Sequence, residues 1–163
     1  RNKGNLMNFT QWLASIPPEI TRDPLWNMEV YRLALFIGEI AWVDVCKLAQ
    51  DRRMLEVSDQ LYRAVGSISA NLAEGYSKAS KKDEARYFEY SLGSAREARD
   101  WYYKARHILG EDVFIHRARL LVQIIRPLLK IVPEFRGKKI SDEQAEYEAY
   151  TLETLLENVP FGE

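Results

Sequence analysis

Apolar residues recur along this chain at intervals of three and four with polar residues between them, and the pattern resets at prolines and glycines. No strand-like alternation and no Asn-Gly hairpin interrupts it. Asn8 caps a short predicted helix with Phe9, Trp12, Leu13 and Ile16 on one face, which Pro17-Pro18 stops. Asp23-Pro24 sets a cap before a proline and predicts a long helix to about residue 53. A second helix is expected over about 57–76, closing near Gly75. Ser80, with Asp83 three residues on, opens a third that ends at Leu109 before Gly110. Asp112 opens a fourth, ending near Pro133 and kinked or irregular at Pro127. Ser141 with Gln144 marks a fifth segment to about Asn158, amphipathic and acidic.

Four long helices with short connections predict an all-α, antiparallel up-and-down four-helix bundle. The expected division is an N-terminal extension with a short helix (1–20), the bundle (21–137) and an acidic, helical C-terminal tail (138–163). Met7 reads as the biological start, leaving Arg1 to Leu6 as an upstream extension.

The first long helix is too apolar for one core. Leu33, Ile37, Ile40 and Leu48 mark one side, while Trp26, Leu35, Trp42 and Cys46 carry apolar surface around the cylinder. The second burying surface must come from the Asn8–Ile16 segment, the tail or another subunit, and a homo-oligomer is the favoured expectation. The second helix carries a polar stripe instead. Gln60, Ser67, Asn71 and Glu74 fall at i, i+7, i+11 and i+14 among Leu61, Ala64, Val65, Ile68 and Leu72. Left unpaired in a core, such groups cost about 1–3 kcal/mol each. They are therefore a network between helices or a site. Small Ser91 and Ser94 on the third helix are candidate partners, so Asn71 and Glu74 are expected to be buried and bonded across helices or at the end of the second helix.

The third helix also interleaves Tyr87, Phe88, Tyr90, Trp101, Tyr102 and Tyr103 with Arg86, Arg96, Arg99, Lys104 and Arg106. Arginine beside aromatics suits stacking on unpaired bases. Core spacing of Phe88 and Tyr102, with arginines paired to Glu89, Glu97 and Asp100, is the plainer reading and the favoured one. The net charge of −1 conceals an asymmetry: residues 138–163 carry two lysines against seven acids, while the body nets +4. That permits nucleic-acid contact without demanding it. No apolar run approaches the roughly 20 residues of a membrane span, and a lone Cys46 points to a reducing cytoplasm.

Gln60, Arg63-Ala64, Ser67-Ile68, Asn71, Ala73-Glu74-Gly75, Ser80-Lys81-Lys82, Phe88, Leu92-Gly93-Ser94-Ala95 and Glu97 together resemble the bacterial four-helix-bundle proteins encoded in 23S ribosomal RNA intervening sequences. The accessory variability determinant of diversity-generating retroelements belongs to the same group. The resemblance covers roughly residues 25–132. It implies a homopentameric barrel without known catalysis and, for retroelement members, binding to a reverse transcriptase and nucleic acid. The pattern commonly has proline where this chain has Ser69, so a straighter helix is expected, and the retroelement members are more basic than a pI near 6.2.

Catalytic motifs are sparse. His107 and His116 lack a spaced ligand set for a metal, and each reads as a surface or capping residue. Cys46 reads as helix packing. No P-loop and no Glu-x-x-His motif is present. No enzyme activity, cofactor, metal or small-molecule substrate is expected. Two functions remain. One is a nucleic-acid-binding accessory subunit with contacts at Lys78, Lys81, Lys82 and Arg86 and along Arg119, Arg126 and Lys130. The other is a protein-interaction scaffold using apolar surfaces or the tail stripe Ala145, Ala149, Leu152, Leu156 and Val159.

Overall fold

Side chains satisfy the free N–H groups of the first turn in α-helices opened by Asn8, Ser80 and Thr151 and in 3-10 turns opened by Asp23 and Asp51. The computed structural model describes residues 8–136 and 151–162. Asn8 and Gln11 form a reciprocal capping box, 2.9 and 3.1 Å, that opens α1 (Phe9–Ser15). Pro17-Pro18 does end it, but Pro18 also starts a single turn, α2 (Pro18–Thr21), because proline fits the first helical position.

The long helix expected from Asp23 is divided. Asp23 caps Leu25 N–H at 2.8 Å and opens only a 3-10 turn, Pro24–Asn27. Met28 is extended, and α3 runs Glu29–Leu48. Arg32 donates to the carbonyl of Trp26 at 2.6 Å across that break, giving the interrupted turn a partner. At the other end Asp51 caps a second 3-10 turn, Arg52–Met54, so α3 stops before residue 53.

The remaining helices keep close to their expected bounds. α4 spans Leu55–Tyr76, although it begins on Met54 without a side-chain cap, and α5 spans Lys81–Leu109 with Ser80 accepting from Asp83 N–H at 3.1 Å. Gly110 takes φ +96°, a backbone conformation that glycine adopts without strain, and turns the chain directly into α6, Glu111–Arg136. That helix carries both Pro127 and Pro133 and continues three residues past the expected stop. A proline removes one intrahelical hydrogen bond, which the packing of Leu120, Leu121, Ile124 and Leu128 into the core offsets. Of the expected tail helix, residues 141–150 lie outside the described residues; α7 is Leu152–Glu157, capped by Thr151.

The bundle of α3 to α6 pairs sequential helices, with α4 on α5 and α5 on α6 in longest register. Leu33, Ile37, Ile40 and Leu48 meet Leu61, Val65, Ile68 and Leu72 and the buried faces of α5 and α6. Gly75 permits the close α4–α5 crossing: a Cβ there would lie 2.9 Å from the Phe88 ring and from Tyr87 Cβ. α1 lays Phe9 and Trp12 on Phe36, with ring centroids 5.0 and 5.3 Å apart, and covers part of the apolar excess of α3. Among the described residues no helix is long and apolar enough to cross a membrane.

Candidate functional site

The polar stripe of α4 lies beside the core, not in it. At 100° per residue the buried positions Leu61, Ala64, Val65, Ile68 and Leu72 centre about a quarter turn from the line through Gln60, Ser67, Asn71 and Glu74. The expected interhelical network is therefore corrected. Asn71 is half-buried and donates within its own helix, to the carbonyl of Ser67 at 2.8 Å. Glu74 is exposed and pairs with Lys78 at 3.3 Å, and a hydrogen bond from Tyr87, then the one from Lys78, lowers its pKa. Gln60, Ser67 and Ser94 are half-buried. Only Ser91 is buried and bridges helices, donating to the carbonyl of Ile68 at 2.9 Å.

The candidate cations fall into two places. At the α4–α5 junction Lys81, Lys82 and Arg86 are exposed and Lys78 is half-buried. Lys81 meets Glu84 at 2.6 Å, Arg86 donates to the Tyr90 hydroxyl at 2.7 Å, and Lys78 lies 4.5 Å from the Tyr87 ring centre. On α6, Arg126 and Lys130 are exposed, and Lys130 lies about 30 Å along the antiparallel pair from Gly110, level with Tyr90. Arg119 sits in the opposite half, half-buried beside the C-terminal segment. The α6 cations are thus spread along their helix, Arg119 in its first half and Arg126 and Lys130 in its second, and the α4–α5 junction holds the other four.

A cluster that sequence reasoning missed lies at the heart of the bundle. Arg117 and Asp44 are 0% and 1% exposed. Arg117 Nε donates to Asp44 Oδ2 at 2.8 Å and Nη2 to Oδ1 at 3.0 Å, a two-pronged ion pair joining α6 to α3. The Tyr102 hydroxyl donates to Oδ2 at 2.9 Å from α5. Burial, then the Asp44 carboxylate, pushes the Tyr102 pKa well up. His116, expected at the surface, is 5% exposed. Arg117 Nη1 lies 2.8 Å from its Nδ1, and its Nε2 lies 2.7 Å from the carbonyl of Leu155. A guanidinium only donates and a carbonyl only accepts, so the imidazole is neutral with its proton on Nε2. Burial first, then adjacent Arg117, lowers its pKa to about 4. Both ring nitrogens are engaged in holding the structure. Among the described residues no group of three or more His, Cys, Asp or Glu could hold a metal.

The signal for this cluster was the register. Arg117 occupies the core stripe Val113, Arg117, Leu120, Leu121, Ile124, and Asp44 the stripe Ile37, Ile40, Ala41, Asp44, Leu48. Opposite charges at core positions of two long helices call for each other.

Residues 151–162 form a strap over this cluster. Leu155 and Leu156 are buried, the carbonyl of Pro160 accepts from Arg117 Nη2 at 2.9 Å, and the Phe161 ring centre lies 5.1 Å from the guanidinium. Glu157 accepts from Asn8 Nδ2 at 2.8 Å and Thr10 Oγ1 at 2.5 Å. The described part of the tail therefore docks on its own bundle; Ala145 and Ala149 lie outside the described residues.

The outer face of α3 and α4 stays open. Trp42 is 56%, Leu55 52% and Tyr62 43% exposed, and Cys46, expected as packing, is exposed as well. Trp42 and Tyr62 stand 5.7 Å apart beside a groove of about 390 Å³ that also borders Gly38, Gly66 and Ser69.

The sequence model of a family described as 23S rRNA-intervening sequence protein matches residues 27–129. A crystal structure of a protein with unknown function from the S23 ribosomal protein family of Bacteroides thetaiotaomicron VPI-5482 superposes with a TM-score of 0.60 at 19% identity. The superposition covers 63% of this chain and 97% of that one, a likeness of fold. No curated protein matches the chain.

Proposed function

The chain belongs to the 23S rRNA-intervening sequence protein family, and on that basis we propose that it is a non-catalytic, self-associating accessory protein that offers a basic junction to nucleic acid. The observation that carries self-association is the open α3–α4 face. Three large apolar side chains, Trp42, Leu55 and Tyr62, remain 43–56% exposed there after the subunit has folded. Trp42 and Tyr62 touch, with ring centroids 5.7 Å apart, and exposed apolar surface of this kind marks an interaction site; glycines at 38 and 66 meet nothing within 4 Å, leaving room for a neighbouring helix. Five copies is the number that the resemblance implies. Repetition around a ring would multiply the modest attraction of Lys81, Lys82, Arg86 and Lys130 by avidity. A reverse transcriptase is the protein partner that the likeness to retroelement accessory proteins suggests.

A second reading, a scaffold that binds protein alone, is favoured by the balance of that junction. Residues 74–89 hold four bases and four acids. Light scattering on the wild type and Trp42→Glu tests assembly, and a monomeric wild type at tens of micromolar would refute it. Anisotropy with single-stranded RNA, single-stranded DNA and duplex, at low and high salt, tests nucleic-acid binding. Weakening by combined charge reversal at Lys81, Lys82 and Arg86 supports the first reading; no signal at low salt leaves the scaffold.

A further inference from the structure

His116 is held in a pattern that only a neutral imidazole can complete. Arg117 Nη1 donates to its Nδ1 at 2.8 Å, and its Nε2–H donates to the Leu155 carbonyl of the strap at 2.7 Å. A second proton would make Nδ1 a donor facing a donor and set two cations in contact at a position 5% exposed. Turning the ring over gives no relief, because both nitrogens of an imidazolium donate. Both nitrogens face protein atoms, so the cleft of about 300 Å³ that borders the ring between α6 and the strap brings water to neither. Arg117 is fixed by Asp44 inside the bundle, so the strap is the partner that can yield.

The surrounding charges do not offset this. Arg117 and Arg119, both on α6, oppose a charged ring; Asp44 on α3 favours one but is already bonded to Arg117 and to Tyr102 of α5. Asp112 of α6 borders the cleft, Lys47 of α3 lies beside Gly162 at the far end of the strap, and α1 presents the uncharged Asn8 and Thr10 to Glu157. The strap is also lightly held. α7 has six residues, too few to stand as a helix alone. It is seated by Leu155 and Leu156, by the carbonyl bonds to His116 and Arg117, and by the bonds of Glu157. A segment of this kind opens locally, without unfolding the core. Acid acts on Glu157 in the same direction, since a protonated carboxyl turns one acceptor oxygen into a donor.

We propose that residues 151–162 are an acid-released latch: a proton taken up by His116 lifts the strap from α6 and α1 while the four-helix bundle stays folded. Release separates the strap from the first helix and uncovers the apolar seat of Leu155 and Leu156 beside Arg117. Burial, then Arg117, holds the His116 pKa at about 4 under the strap, against an ordinary value near 6.5 once the ring meets water. The latch is therefore whole above about pH 6.5 and loosens as pH falls towards about 4. From about pH 6.5 to about pH 4.5 its opening constant rises by up to about 40-fold.

Hydrogen exchange of the full chain at about pH 6.5 and about pH 4.5, corrected for the intrinsic pH dependence of exchange, tests this. The strap is read at the Leu155 and Asn158 amides, bonded to the Thr151 and Thr154 carbonyls, and the bundle at α5. The expected result is a rise in strap opening of up to about 40-fold with α5 unchanged. In His116→Gln the rise is lost, because a glutamine amide both accepts from Arg117 and donates to Leu155 at either pH. An equal rise in His116→Gln puts the trigger elsewhere, Glu157 included, and overturns the inference. So does a strap that opens no more in acid, or one that opens only together with α5. If that variant fails to fold, NMR of the wild type decides, since His116 is one of two histidines. A His116 titration that coincides with the shift of the strap amides supports the latch, and one that leaves them unmoved overturns it.

Discussion

Removing the Asp44 carboxylate leaves a guanidinium fully inside the bundle with no anion beside it. Asp44→Ala deletes the acceptor for two Arg117 donors and for the Tyr102 hydroxyl, three bonds of 2.8–3.0 Å. Breaking a buried pair from one side costs about 3–5 kcal/mol. In a chain of 163 residues that corresponds to a fall in Tm of roughly 6–20 °C. Urea and thermal unfolding followed by circular dichroism measure it. Replacing the whole polar set tells burial apart from volume: Asp44→Leu, Tyr102→Phe and Arg117→Met together remove both charges and the stranded hydroxyl. That triple variant is expected to recover most of the loss, since apolar replacements of buried pairs are often neutral or stabilising. A cost below about 1 kcal/mol for Asp44→Ala would show that water reaches Arg117, and the assignment of a dry ion pair would be wrong.

Stability should also depend on His116. Its pKa is lowered to about 4 in the folded protein, so the native state binds fewer protons than the unfolded chain between that value and the ordinary one near 6.5. The contribution is whole above about pH 6.5 and declines as pH falls towards 4, by up to about 3 kcal/mol; urea titrations of the wild type and His116→Gln check it, and equal pH slopes would refute it. Gly75→Ala should destabilise by about 1–3 kcal/mol through overpacking on Phe88, outweighing a gain in helix propensity of about 1 kcal/mol; a higher Tm would contradict that. Glu74→Gln should change stability by less than about 0.5 kcal/mol, while Ser91→Ala costs about 1 kcal/mol for its bond to Ile68. Urea midpoints that reverse this order would restore the α4 stripe as the structural element.

Helix order and most helix ends were legible because they depend on local chemistry. Asn8, Ser80 and Gly110 act within one turn of themselves, and the chain around them needs no distant information. The break at Met28 was not legible, since a good cap at Asp23 begins a 3-10 turn as readily as an α-helix. The α4 stripe misled for a related reason: periodicity shows that residues share a face, but not which neighbour that face meets. Only the positions of Leu61, Ile68 and Leu72 against α5 and α3 decide it. Asp44 and Arg117 were not legible as a pair, because the meaning of each lies in a partner 73 positions away. His116 was misread as a surface or capping residue because its partners, the Arg117 guanidinium and a carbonyl of the strap, form no spaced motif in the sequence.

The bonds from Asn8 and Thr10 to Glu157 bear on the order in which the chain acquires its structure. They join residues 149 and 147 positions apart, whereas α4, α5 and α6 meet through turns of a few residues. During synthesis the first helix emerges long before its partner exists, and its polar edge faces water until residue 157 has been added. Local pairings close early because short loops cost little entropy. The two ends therefore join last, on a bundle already formed, and in unfolding they should separate first.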